Sequence, residues 1–198
     1  IVEAIFQKRL SSFFKKHAVS NPEEAPLYAI ANSINTLWAI DIDEKNIEYC
    51  RSRVFTLSLQ FLSDCLRNTV TGKKIVFANK EFLAHLICAI EWHIHDNEAI
   101  SSICTDDLVY KEVEKTRTSR SWYEKNGHHP IDFQESWVAF YRTCEKEKTT
   151  PIQFERTSKF IEAVLTGSLR GFKEFGFARK SLEELIKNRR TNNRASGF

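Results

Sequence analysis

The segment Leu37-Trp-Ala-Ile-Asp-Ile42 places one carboxylate, Asp41, at the end of an apolar run, and Asp43-Glu-Lys-Asn46 follows at once. An acid at the carboxyl end of a buried strand that feeds directly into a helix is positioned to accept both hydroxyls of a ribose. Ile42 beside it offers a branched apolar surface for the face of an adenine, leaving the polar edge of the base open to hydrogen bonds. The competing reading is local, because an Asp after a strand also caps the helix that begins there.

Three further groupings invite chemistry. His93 and His95 stand two apart, so on a strand they share a face, and Cys104 is near in sequence. That set superficially suggests zinc, but a fourth ligand at a suitable spacing is missing, which favours ordinary packing or surface histidines and no metal. His128-His129 with Cys144 suggests a base and a nucleophile, yet nothing else supports a triad, and no catalytic residue is assigned. Near the end, Arg179, Lys180, Lys187, Arg189, Arg190 and Arg194 follow Phe172, Phe175 and Phe177. This reads as phosphate contacts with stacking rings, against the plainer alternative of core phenylalanines and a solvated helix face.

The elements that must carry these groups are legible as periodicities. Val2, Ile5, Phe6, Leu10, Phe13 and Phe14 recur at helical spacing up to Asn21-Pro22, and Leu27, Ile30, Ala31, Ile34 and Leu37 repeat the pattern after Pro26. The run from Leu37 to Ile42 then shortens to a buried-strand signature. Asp43 is the expected N-cap of a long helix to about Arg67. Lys80 to Glu91 predicts another helix, and Trp92-His-Ile-His95 a short strand ending at Asp96-Asn97-Glu98. Residues 105 to 130 are polar and predict an extended loop or insertion. Thr150-Pro-Ile-Gln153 is a capping box opening a helix to about Leu165, and Ser181-Leu-Glu-Glu184 opens a second one to about Arg190.

Length and composition fit this reading. A chain of 198 residues, 42% hydrophobic and 28% charged, is long enough for one sizeable core and unlike a disordered segment. No apolar run approaches the roughly 20 residues that span a bilayer, which predicts no membrane anchor. Five scattered cysteines without a C-x-x-C pair fit a reducing cytoplasm. The net charge is only +3, but from Arg170 onward eight Lys or Arg stand against three Glu. There is no methionine, and the chain opens on a helical pattern without a cap, so its natural start is expected to be missing or rearranged.

Around Asp41 the sequence resembles the modification subunits of bacterial restriction systems, class I S-adenosylmethionine-dependent methyltransferases acting on DNA adenine. In them a strand of the type Tyr-Gly-Val-Asp-Ile leads into a helix beginning with acids and Asn; Trp38-Ala-Ile-Asp-Ile42 and Asn46-Ile-Glu-Tyr-Cys-Arg51 match it. Ile1-Val-Glu-Ala-Ile-Phe-Gln-Lys-Arg-Leu10 is similar to the helix that follows the glycine-rich cofactor loop of such subunits. Asn97-Glu-Ala-Ile100 is the local counterpart of their Gly-Asp-Ala-Leu, with Asn for Gly and Glu for Asp. The resemblance covers about the first hundred residues and is lost after about Leu108. It implies S-adenosylmethionine as cofactor, with Asp41 on the ribose, Ile42 on the adenine face and Glu98 accepting the adenine's exocyclic amine. It implies DNA as partner.

Two family features are absent. No glycine precedes Gly72, so the cofactor loop lies outside these residues, and the four prolines are never adjacent, so there is no Asn-Pro-Pro-aromatic tetrapeptide to hold a flipped adenine. Weak or no catalysis is expected of the chain as written, the missing parts coming from upstream residues or a partner subunit. The expected fold is α/β: a partial Rossmann-like methyltransferase core over 1–104, an insertion over 105–149, and a helix-rich C-terminal part over 150–198 with its basic tail. The alternative is a degenerate, non-catalytic Rossmann-like module that binds a partner protein or nucleic acid.

Overall fold

The first two helices are written by their apolar stripes. In the computed structural model, α1 (Val2–Ala18) buries Phe6 and Leu10, one turn apart, in one core with Ile30 and Ile34 of α2 (Ala25–Asn35). Pro26 sits in the first turn of α2, where its missing N–H costs no hydrogen bond. The structure describes residues 1–66, 79–96, 136–147, 152–166 and 168.

After α2 the chain turns through Leu37, whose amide donates to the Ile34 carbonyl, and enters β1 (Ala39–Asp41). A 23-residue helix, α3 (Glu44–Leu66), follows. Ile47, Val54, Phe55, Ser58 and Leu62 form its buried face. Helix α4 (Lys80–His93) begins at Asn79, whose side chain accepts from the Phe82 amide. It runs straight into β2 (Ile94–Asp96). Two more helices complete the described residues, α5 (Trp137–Glu147) and α6 (Ile152–Thr166).

Helix α4 is the centre of the packing. Leu83, Ala84, Leu86, Ile87, Cys88, Ala89 and Ile90 are all buried, so it is apolar around nearly its whole circumference, as a helix must be when others surround it. It packs against α2, α3, α5 and α6. The two strands pair in parallel, Ala39 opposite Ile94, Ile40 opposite His95 and Asp41 opposite Asp96. Parallel pairing needs a crossover, and α3 and α4 lie within it.

The expected Rossmann-like sheet core is overturned. Helices take 81% of the described residues, and the sheet there consists of two strands of three residues each. Two local causes are visible. Leu37 and Trp38 close the turn after α2 rather than extending the strand, and Trp92 with His93, expected in the second strand, form the last turn of α4. The centre of the described core is α4, in contact with α2, α3, α5 and α6, and not a sheet. The helix Trp137–Glu147 was not expected, although Trp137, Phe140, Tyr141 and Cys144 have helical spacing. Among the described residues no helix is long and apolar enough to cross a membrane.

Candidate functional site

Asp41 stands where the sequence places it, at the carboxyl end of a strand and just before a helix. Its Oδ1 accepts the Asp43 amide at 2.9 Å, and its Oδ2 accepts the Asn46 side-chain amide at 3.2 Å. Asp43 in turn accepts the Lys45 amide at 2.9 Å, one of the unpaired donors of the first turn of α3. The two acids therefore divide the work. Asp43 caps the helix, and Asp41 orders the turn ahead of it while each of its oxygens keeps acceptor capacity. Asp41 is partly exposed, and the neighbouring Ile42 is 46% exposed.

Arg51 ties down the start of the partner strand, opposite Ala39. From α3 its Nε donates to the Ile94 carbonyl at 3.0 Å, and its guanidinium pairs with Glu91 at 3.1 Å. The first residue of β2 is thereby tied to the helix that leaves β1. Glu98, expected on the adenine's amine, lies outside the described residues, as do the basic residues Arg179, Lys180, Lys187, Arg189, Arg190 and Arg194.

His93 and His95 are brought together with an aromatic partner. The Trp38 ring is 4.3 Å from His93 and stacks parallel on His95 at 5.9 Å. His93 Nε2 accepts the Trp137 amide at 3.2 Å, so that nitrogen carries a lone pair and the ring is neutral. Its Nδ1 faces the Leu37 carbonyl but falls outside hydrogen-bonding geometry. Burial holds His93 down to about 4, with the neighbouring His95 adding to the effect. Burial likewise holds His95 down to about 4, helped by the Arg51 charge. His93 is fully buried and His95 half-buried beside it. Among the described residues no group of three His, Cys, Asp or Glu could hold a metal ion. Cys104 and His128-His129 lie outside them, and Cys144 is buried on α5.

One concavity escaped sequence reasoning. A cavity of about 270 Å³ opens between α2, α4 and α5. Its walls include the rings of Phe82, His85, Trp137 and Tyr141, and its rim carries Arg142 and Glu145. The helical spacing of Trp137 and Tyr141 was the available signal; their approach to His85, more than fifty positions earlier, had none. Compared with known proteins, the chain matches no family model, no curated protein and no solved structure.

Proposed function

We propose that the chain is a cofactor-binding part of an S-adenosylmethionine-dependent DNA methyltransferase of the modification type, acting in the cytoplasm, and that Asp41 holds the ribose of the cofactor. The carrying observation is the state of the Asp41 carboxylate. It ends a strand, is oriented by the Asp43 and Asn46 donors, and keeps one acceptor site on each oxygen. A vicinal diol presents two donors at a spacing that a carboxylate's two oxygens can accept.

The residues present fit the nucleoside end of the cofactor. Ile42 lies next to the carboxylate with its side chain turned to solvent, where an adenine face would cover apolar surface otherwise left in water. When bound, S-adenosylmethionine supplies an activated methyl group. The residues named here bind and orient its nucleoside end. The reading rests on this strand tip and on the match of Trp38-Ala-Ile-Asp-Ile42 and Asn46 to the family pattern, without a Rossmann-like sheet behind it.

Saturation-transfer NMR with adenosine, 2′,3′-dideoxyadenosine and S-adenosylmethionine tests it. Adenosine and S-adenosylmethionine are expected to show ribose-proton transfer that dideoxyadenosine cannot compete away and that Asp41→Asn abolishes. Equal binding of the two nucleosides, or unchanged binding in Asp41→Asn, removes the proposal. A salt-dependent shift of a labelled duplex without nucleoside binding would point instead to a nucleic-acid-binding module.

A further inference from the structure

Protein interiors close gaps of this size with larger side chains. Between α2, α4 and α5 two alanines keep one open: Ala31 on α2 and Ala89 on α4 line the cavity opposite the rings of α5. Leucine at either position would occupy much of it. The rings are not stacked into a closed cluster. Trp137 and Tyr141 are tilted 47° to one another at 5.6 Å, and His85 meets Tyr141 edge-on at 4.7 Å. Trp137 is itself buried, backed by Trp92 and Phe140, and Tyr141 is backed by Phe154, so the half-buried rings of Phe82, His85 and Tyr141 offer most of the aromatic surface to a flat guest.

The polar groups narrow the guest further. The imidazole of His85 makes no hydrogen bond among the described residues, so a donor and an acceptor nitrogen are unspent at the cavity wall. Burial holds this ring below its ordinary value, against the opposing pull of Glu81 and Glu145, and so favours its neutral form. The Arg142 and Glu145 charges stand at the rim and are exposed. Asn35 also lines the cavity, but its amide is already used: Nδ2 donates to the Ala31 carbonyl and Oδ1 accepts the Val138 amide. At about 270 Å³ the cavity is just below the range that holds drug-sized ligands, so its guest is a molecule of one or two rings.

We propose that this cavity is a binding site for a small, uncharged, planar nitrogen heterocycle, seated among Phe82, Trp137 and Tyr141 with its polar edge against His85. The site shares no residue with the Asp41 strand tip, and it stands or falls independently of the nucleoside reading.

The test uses the whole chain, with benzimidazole as probe and indane as a control of the same shape without nitrogens. Binding is followed by the shift of the tryptophan indole N–H signals, assigned through Trp137→Phe, in two-dimensional NMR near neutral pH. Benzimidazole is expected to bind at about millimolar concentration or below, and about 10-fold more tightly than indane, because a hydrogen-bonding edge discriminates against a guest that leaves it unpaired. Ala31→Leu is expected to weaken both guests by about 10-fold or more by filling the space. His85→Phe keeps a ring in the wall and is expected to bring benzimidazole down to the level of indane. Ala31 is half-buried, and His85→Phe replaces one ring by another, so both variants are chosen to keep the fold, which circular dichroism checks. If one fails to fold, the other decides. Absence of shifts at several millimolar overturns the site. Shifts indifferent to Ala31→Leu place the probe elsewhere and overturn it too. Equal affinity for the two guests reveals an apolar crevice only, and the heterocycle assignment is then wrong.

Discussion

The imidazole of His93, at the end of α4, caps α5 from outside: its Nε2 accepts the amide of Trp137, the first residue of that helix, at 3.2 Å. The next amide, Val138, is accepted by Asn35 Oδ1 of α2 at 3.4 Å, and the third, Ala139, by Ser136 Oγ at 3.4 Å. The donors that a helix start leaves over are thus satisfied by three different parts of the chain. Replacing His93 by Phe keeps a ring beside Trp38, slightly larger than the imidazole, but strands a buried N–H. The expected loss is about 1–3 kcal/mol of unfolding free energy, read from urea titrations followed by circular dichroism. A midpoint equal to that of the parent protein would show that the bond contributes nothing.

The same bond has a pH signature. His93 and His95 are held down to about 4 in the folded chain, mainly by burial, against an unfolded value of about 6.5. Their folded values are depressed, so the neutral forms favour the fold. The contribution is complete above about pH 6.5 and is lost as pH falls toward 4, because the unfolded chain takes up protons first. Protonation of His93 Nε2 would also set an N–H against the N–H of Trp137. Between pH 6.5 and 4 the slope of stability against pH is expected to contain close to two protons from this pair, and His93→Phe to remove about one of them. An identical slope in parent and variant would mean that His93 titrates normally.

These relationships explain what the sequence could and could not announce. The path from α1 to α3 is local, written in Phe6, Leu10, Ile30 and Ile34 at helical spacing, in the apolar run ending at Asp41, and in the cap at Asp43, and it is found where the periodicity put it. Asp41 at a strand end was legible for the same reason. The extent of the sheet was not, because an apolar run of four, Leu37 to Ile40, does not reveal how many strands will pair beside it. Trp92 and His93 read equally well as strand or as last helical turn. At the start of α5 only the Ser136 cap is local; the other two capping partners stand 44 and 103 positions away, at His93 and Asn35, and no local pattern announces them. The cavity depends on that same docking, so no local pattern could show it.

The link between α3 and the head of β2 is expected to behave as a coupled unit. Arg51 is 14% exposed and makes both the Glu91 ion pair and the bond to the Ile94 carbonyl. Arg51→Met is expected to cost about 1–3 kcal/mol, because it removes one partner of a half-buried carboxylate and the bond to the Ile94 carbonyl. Adding Glu91→Gln should cost much less than the sum of the two single changes, giving a coupling of about 1–3 kcal/mol in a double-mutant cycle of chemical unfolding. Strict additivity would show that the two side chains do not act on one another.

A contrast at the α3 start separates the two acids. Asp43 accepts the Lys45 amide, so Asp43→Ala is expected to lower stability by about 1 kcal/mol and to reduce the exchange protection of the Lys45 amide. Asp41→Asn retains an Oδ1 that can still accept the Asp43 amide, losing only the partly exposed bond from Asn46. Its expected cost is within about 0.5 kcal/mol, with α3 protection unchanged. That difference is what makes Asp41→Asn a fair probe of ribose binding, since it changes the charge of the carboxylate without disturbing the turn that holds it. If Asp41→Asn instead frays α3 as strongly as Asp43→Ala, measured by amide exchange at Lys45 and Asn46, the carboxylate is a structural brace, and any loss of nucleoside binding in that variant reports the turn rather than the diol.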